Sequence, residues 1–106
     1  MCPRYEKAID VLGKKWTGLI IRILMGGKKR FGEFHAQMPD VSDRLLSERL
    51  KTLEDEGIII RRVFDTKPVR VEYELTEKGR ALEPVVTAIQ AWGEHWCEPE
   101  TVHSDR

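Results

Sequence analysis

The side chains best equipped for chemistry in this sequence are cations, hydroxyls and a pair of thiols. Lys28, Lys29 and Arg30 stand in a row. Ser42, Asp43, Arg44, Ser47, Glu48 and Lys51 recur at spacings that share the outer surface of one helix, and Lys67 and Arg70 flank Pro68. Lysines and arginines so arranged neutralise phosphates, which holds a nucleic acid in place without reading it. A guanidinium on a helix surface does more, because its fork of donors matches the two acceptors on a guanine edge. Arg44 is therefore the candidate base reader. Ser42, Asp43, Ser47 and Glu48 are candidate polar contacts beside it. Lys51, Lys28, Lys29 and Arg30 are candidate phosphate contacts, with Lys67 and Arg70 on a separate projecting element.

The thiols are Cys2 and Cys97. They lack CxxC spacing and a histidine at zinc-ligand spacing, so no metal site is expected. A structural disulfide is not expected in a reducing cytosol. Cys2 precedes Pro3 at the start of a predicted helix, close to Arg4 and Lys7, where the helix dipole and the cations favour the reactive thiolate. Cys97 ends another predicted helix beside Glu94 and Glu98, a setting for a resolving thiol. His35, His95 and His103 are scattered. With no nucleophile motif, paired carboxylates or glycine-rich phosphate loop, neither an enzyme nor a cofactor is expected.

These side chains need elements to position them. Tyr5, Ala8, Ile9 and Leu12 fall at helical spacing, with Pro3 at a first helical position and Gly13 as the stop. A second helix over about 15–25 carries Trp16, Leu19, Ile20, Ile23 and Leu24 on a broad apolar face. A short helix over 31–37 turns Phe31 and Phe34 inward and stops at Pro39, and Val41 plugs the turn that follows. Ser42 is the expected N-cap of the next helix. Projection at helical pitch puts Leu45, Leu46, Leu50 and Leu53 on one arc and the polar candidates on the other. Arg49 projects inside the leucine arc and is read as a structural ion pair, with Glu33 the expected partner.

Gly57 reads as the left-handed stop of that helix. Residues 58–64 form a β-rich run, 65–68 carry turn chemistry, and Val69, Val71 and Tyr73 alternate with Arg70, Glu72 and Glu74. Helix, turn, helix and hairpin together are the plan of a winged helix, with the DNA-reading part at about 30–75. Thr76 is expected to cap a long last helix, broken or kinked at Pro84. Its stripe of Ile89, Trp92 and Trp96 is too bulky for a small core, so a partner chain is the expected cover.

Composition agrees with one globular domain of 106 residues, 41% hydrophobic and 34% charged. Formal net charge is zero. Residues 1–53 nevertheless hold 11 Lys+Arg against 6 Asp+Glu, and residues 54–106 hold 7 against 12. A basic half beside an acidic half suits one nucleic-acid face and one other face. No run is long enough to span a bilayer and residues 1–7 lack an apolar leader, so a cytoplasmic location is expected.

The sequence resembles the HxlR-type transcriptional regulators, relatives of the MarR group. The resemblance rests on Cys2-Pro3, on residues 12–16 (Leu-Gly-Lys-Lys-Trp), on 30–34 (Arg-Phe-Gly-Glu-Phe) and on Val41-Ser42 with Leu46. It continues through 48–54, Gly57-Ile58-Ile59, residues 68–79 and Ala91-Trp92-Gly93. It implies an α+β, mainly helical winged helix-turn-helix with dimerisation helices at about 3–16 and 77–97. It further implies a homodimer on a roughly palindromic double-stranded operator, repression as the usual outcome, and Cys2 at a frequent sensor position. Oxidation or electrophile modification of Cys2 is the expected switch, with an intersubunit Cys2–Cys97 disulfide as one form it can take, and half-sites are expected roughly 34–36 Å apart. Two other readings remain at this stage. One is a winged helix serving protein–protein interaction. The other is a small-molecule-responsive regulator whose pocket Trp16, Trp92 and Trp96 would line.

Overall fold

The computed structural model describes residues 2–99. Residues 100–106, His103 among them, lie outside that range. Helix α1 spans Pro3–Leu12 and α2 spans Thr17–Met25. A 3-10 helix over Phe31–Ala36 leads by a tight turn into α3, Asp43–Asp55. Strands β1 (Ile59–Phe64) and β2 (Arg70–Leu75) form an antiparallel hairpin, followed by α4 (Glu77–Arg80) and α5 (Glu83–Trp96). The architecture is an α+β winged helix-turn-helix.

The core gathers where apolar periodicities of different elements meet. Ile20, Ile21, Ile23 and Leu24 come from α2, Phe34 and Met38 from the first half of the helix-turn-helix, and Leu46, Leu50 and Leu53 from α3. Ile58, Ile59, Tyr73 and Leu75 seal it from the hairpin. Val41 is 4% exposed and fills the turn as its position predicts. Burying a leucine such as Leu50 contributes about 1.5–3 kcal/mol, so the arc of three buried leucines fixes which face of α3 remains outside.

Local chemistry sets the boundaries. Ser42 Oγ accepts the Leu45 amide at 3.1 Å and starts α3. Gly57 ends it at φ +77, a left-handed conformation that a side chain disfavours. The second helix begins two residues later than expected, because Trp16 itself adopts φ 79. The last apolar stripe is two helices, not one. Thr76 Oγ1 accepts from the Gly79 amide and caps only the four-residue α4, and Pro84 then sits in the first turn of α5. Gly79 packs so tightly that a Cβ there would lie 2.1 Å from the Ile58 carbonyl oxygen.

The hairpin gains a third rung from outside itself. Lys29 exchanges two backbone hydrogen bonds with Tyr73, at 2.9 and 2.8 Å. The basic run before the helix-turn-helix is thus stitched to the far edge of β2. Val69 was expected to open that strand. It lies outside it and is 60% exposed, so the alternating register starts at Arg70.

Candidate nucleic-acid interface

With Leu46, Leu50 and Leu53 turned inward, α3 presents Asp43, Arg44, Ser47, Glu48 and Lys51 to solvent. The Arg44 side chain is 90% exposed, and its Nε lies 3.7 Å from Glu48 Oε2 one turn on, a loose pair that leaves most guanidinium donors open. Lys51 Nζ contacts Asp55 Oδ1 at 3.0 Å, and that hydrogen bond and charge hold its ammonium above the ordinary lysine range. Ser42 spends one lone pair on the cap and keeps its hydroxyl proton for a donor role. Asp43 Oδ1 is 2.8 Å from His35 Nε2.

The other predicted cations divide into open and occupied groups. Arg30 is exposed at the entrance of the 3-10 helix, where its amide donates to Glu33 Oε1 at 2.7 Å. Lys67 is exposed at the hairpin tip, next to a turn closed by Thr66 Oγ1 donating to the Pro68 carbonyl at 2.7 Å. Lys28 Nζ lies 3.5 Å from Glu72 Oε1. Arg70, expected as a wing contact, is largely occupied. Its Nε is 2.9 Å from Glu72 Oε2, a charge contact without hydrogen-bond alignment, and its guanidinium lies 4.3 Å from the Phe64 ring centroid. Glu72 therefore sits between two of the candidate phosphate contacts. Lys29 is held through its backbone, with Nζ 3.3 Å from the Gly27 carbonyl.

Arg49 is structural, but with a different partner from the one expected. Its Nε donates to the Lys15 carbonyl at 2.9 Å, tying α3 to the connection between α1 and α2. Glu33 is engaged by the Arg30 amide instead.

Two cations that sequence reasoning passed over flank α3. Arg61 lines a groove with Ser47, Leu50, Lys51, Glu54 and Tyr73, between the helix and the hairpin. No carboxylate pairs with it among the described residues, whereas its neighbour Arg62 is held by Glu74 at 3.1 Å on the other face of the strand. On the opposite flank Lys14 lines a groove with Ser47, Glu48 and Lys51. Strand alternation was the available signal for Arg61. It shares a cross-strand register with the inward Tyr73, so it had to face α3.

Both thiols are free and exposed. Cys2 sits at the start of α1, and its backbone carbonyl accepts the Glu6 amide at 3.2 Å. Cys97 ends α5 and lines an open groove of about 660 Å³ with Leu12, Leu19, Val86 and Ile89. None of Trp16, Trp92 and Trp96 lines that groove, so the alternative reading of a tryptophan-lined pocket gains no support there. Trp92 and Trp96 instead stand 62% and 68% exposed on α5, in line with Ile89 at 59%. Tyr5 and Ile9 of α1 are exposed as well, at 61% and 48%. Among the described residues no helix is long and apolar enough to cross a membrane. Among the described residues no cluster of three or more His, Cys, Asp or Glu is placed to hold a metal ion.

Known proteins share this arrangement over nearly the whole chain. The family model described as HxlR-like helix-turn-helix matches residues 11–101. The chain is 50% identical over 99 residues to YvaP of Bacillus subtilis, an uncharacterised HTH-type transcriptional regulator, covering 93% of this chain and 92% of the relative. The reduced form of the transcriptional regulator YodB from B. subtilis superposes with a TM-score of 0.82 at 50% identity, covering 95% of this chain and 99% of that one. The redox regulator HypR in its oxidised form gives a TM-score of 0.86 at 42% identity, covering 94% and 100%. An exposed polar face on α3, a hairpin beside it and this similarity in sequence and fold lead to one conclusion: the chain belongs to the HxlR-like helix-turn-helix family of DNA-binding transcriptional regulators.

Proposed function

We propose that the protein is a homodimeric repressor that reads a roughly palindromic operator and is released from it by oxidation or electrophile modification of Cys2. The observation that carries the reading is the free face of α3 between two flanking cations, Lys14 and Arg61. In this reading the N-terminal half of α3 enters the major groove, with Arg44 on a guanine edge and Ser42, Asp43, Ser47 and Glu48 beside it. Lys51, Arg30, Lys28 and Lys29 lie along phosphates, and the hairpin tip places Lys67 against the backbone near the minor groove. Arg70 serves the hairpin by bracing Phe64 and Glu72 more than it serves DNA.

The dimer is supported by apolar surface. Val85, Ile89, Trp92 and Trp96 recur on one side of α5, and Tyr5 and Ile9 add exposed apolar area on α1. A stripe with two tryptophans in water is costly and matches the aromatic character of subunit interfaces. Two copies related by a twofold axis would present two α3 helices to successive major grooves.

The switch rests on the exposure of both thiols at ends of the terminal helices, and on relatives solved in redox-relevant states. YodB has been solved in reduced, diamide-treated and quinone-bound forms, and HypR in reduced and oxidised forms. Oxidation would join Cys2 of one protomer to Cys97 of its partner, two thiolates losing two electrons to diamide and forming one S–S bond. Gel shifts on duplex from upstream of the protein's own gene, with reduced and diamide-treated protein, test the proposal. Reduced protein should bind and oxidised protein should run as a disulfide-linked dimer with weakened binding. Unchanged binding and monomer bands after diamide would refute the switch. A reduced protein that binds no duplex would refute DNA reading itself and favour a protein-binding winged helix.

A further inference from the structure

His35 was a lone histidine in the sequence, and the fold gives it a specific neighbour. It lies near the end of the 3-10 helix, eight residues before Asp43, the first residue of α3. Its Nε2 lies 2.8 Å from Asp43 Oδ1. A carboxylate only accepts, so Nε2 carries the proton in this contact. The Phe31 ring meets the imidazole edge to face at a centroid distance of 6.0 Å. The His35 side chain is 33% exposed and that of Asp43 is 77% exposed. One carboxylate oxygen is thus pinned while the rest of the group faces solvent at the tip of the proposed reading helix.

We infer that His35 is a positioning residue that orients Asp43 to read a cytosine, and the inference rests on the DNA-reading function proposed above. A short carboxylate at a helix start, entering a groove lined by phosphates, is repelled and free to rotate away. The bond to Nε2 removes that freedom and offsets part of the charge. The second oxygen, Oδ2, has no partner among the described residues and is left as an acceptor. Two amino donors stand on major-groove edges, cytosine N4 and adenine N6; adenine sets the acceptor N7 beside its donor, which repels a carboxylate, so cytosine N4 is the better match. Guanine and thymine offer acceptors at the corresponding places, so the same oxygen rejects them. Arg44, the next residue, takes a guanine edge in the same reading, and the two neighbours then specify adjacent positions in each half-site.

An aspartate in a first helical turn also stabilises the helix through its charge alone. The experiment must therefore separate reading from stability. The preferred duplex is first selected from a random pool with wild-type protein. Affinities for it and for every single-base-pair variant are then measured for wild type, His35→Ala, His35→Gln, Asp43→Ala and Asp43→Asn. Changing the C·G pair in one half-site should cost the wild type about tenfold. His35→Ala and Asp43→Ala should reduce that preference to about threefold or less while leaving discrimination at other positions intact. His35→Gln, which keeps a donor at similar reach, should restore most of it. Asp43→Asn, which brings its own donor, should shift preference at that pair away from cytosine.

A His35→Ala protein with the wild-type base profile overturns the inference and leaves the DNA-reading function standing. A uniform loss at all positions, which a purely structural role would produce, also overturns it. A wild type that selects no sequence overturns the function and the inference together.

Discussion

Arg61 tests where the nucleic acid lies against this fold. Its side chain stands in the groove between α3 and the hairpin with no carboxylate pairing it among the described residues, so it should neutralise one phosphate per protomer. Arg61→Ala then removes two contacts from a dimer on its operator. Each neutralised phosphate contributes about 0.9 to the slope of log affinity against log salt, so the variant's slope should be shallower by about 1.8. Between about 50 and about 200 mM salt, the wild-type complex should accordingly weaken about twelvefold more than the variant's. Arg62→Gln is the control. Arg62 is held 3.1 Å from Glu74 on the opposite face, and its slope should stay within about 0.5 of wild type. Fluorescence anisotropy on labelled duplex at five or more salt concentrations gives both slopes. An unchanged slope for Arg61→Ala, or an equal flattening for Arg62→Gln, would refute the placement of the backbone along this groove.

Three other substitutions address the reading helix, the hairpin base and the dimer. Arg44→Ala should cost about 1–3 kcal/mol of preference for operator over random duplex, whereas Lys67→Ala should weaken binding to both alike; equal losses on the two DNAs for Arg44→Ala would remove it from base reading. Gly79→Ala forces a Cβ to within 2.1 Å of the Ile58 carbonyl oxygen, which also accepts the Thr76 amide at 3.0 Å. Overpacking plus loss of that bond should destabilise the fold by about 2–4 kcal/mol, a fall of roughly 10–20 °C in Tm by thermal circular dichroism. Trp92→Glu places a charge in the exposed apolar stripe and should yield a monomer in sedimentation velocity while the wild type runs as a dimer; a dimeric variant would move the interface elsewhere.

What was legible in the sequence depended on the range of the interaction that decides it. The cap at Ser42, the stop at Gly57 and the buried arc of α3 follow from residues within a turn or two of each other, and all are where the periodicity puts them. The break at Pro84 was legible as a break, but its outcome as two separate helices was not, because Thr76 and Gly79 dock α4 against Ile58 far away in the chain. Arg49 shows the limit of helical projection. The projection gives the direction of a side chain, but its partner depends on which neighbour passes at that height, and that is the Lys15 carbonyl. Arg70 shows a similar limit. Alternation places it on a face of the strand, whereas its occupation by Phe64 and Glu72 depends on cross-strand register and the bend of the hairpin. The pairing of His35 with Asp43 spans the turn itself, and no periodicity carries across a turn.

The two hydrogen bonds between Lys29 and Tyr73 have a mechanical consequence. They clasp the segment that enters the helix-turn-helix to the strand that leaves the hairpin, so the hairpin cannot swing away from α3 without breaking both. Phe34 and Tyr73, edge to face at 6.2 Å, reinforce the clasp from the core side. Each protomer thus approaches DNA as a stiff two-pronged tool. A signal arriving at the terminal helices has little slack to exploit inside that tool. In the dimer proposed above it would act by changing the pitch and separation of two such tools, and control of the operator would become a matter of gauge between protomers.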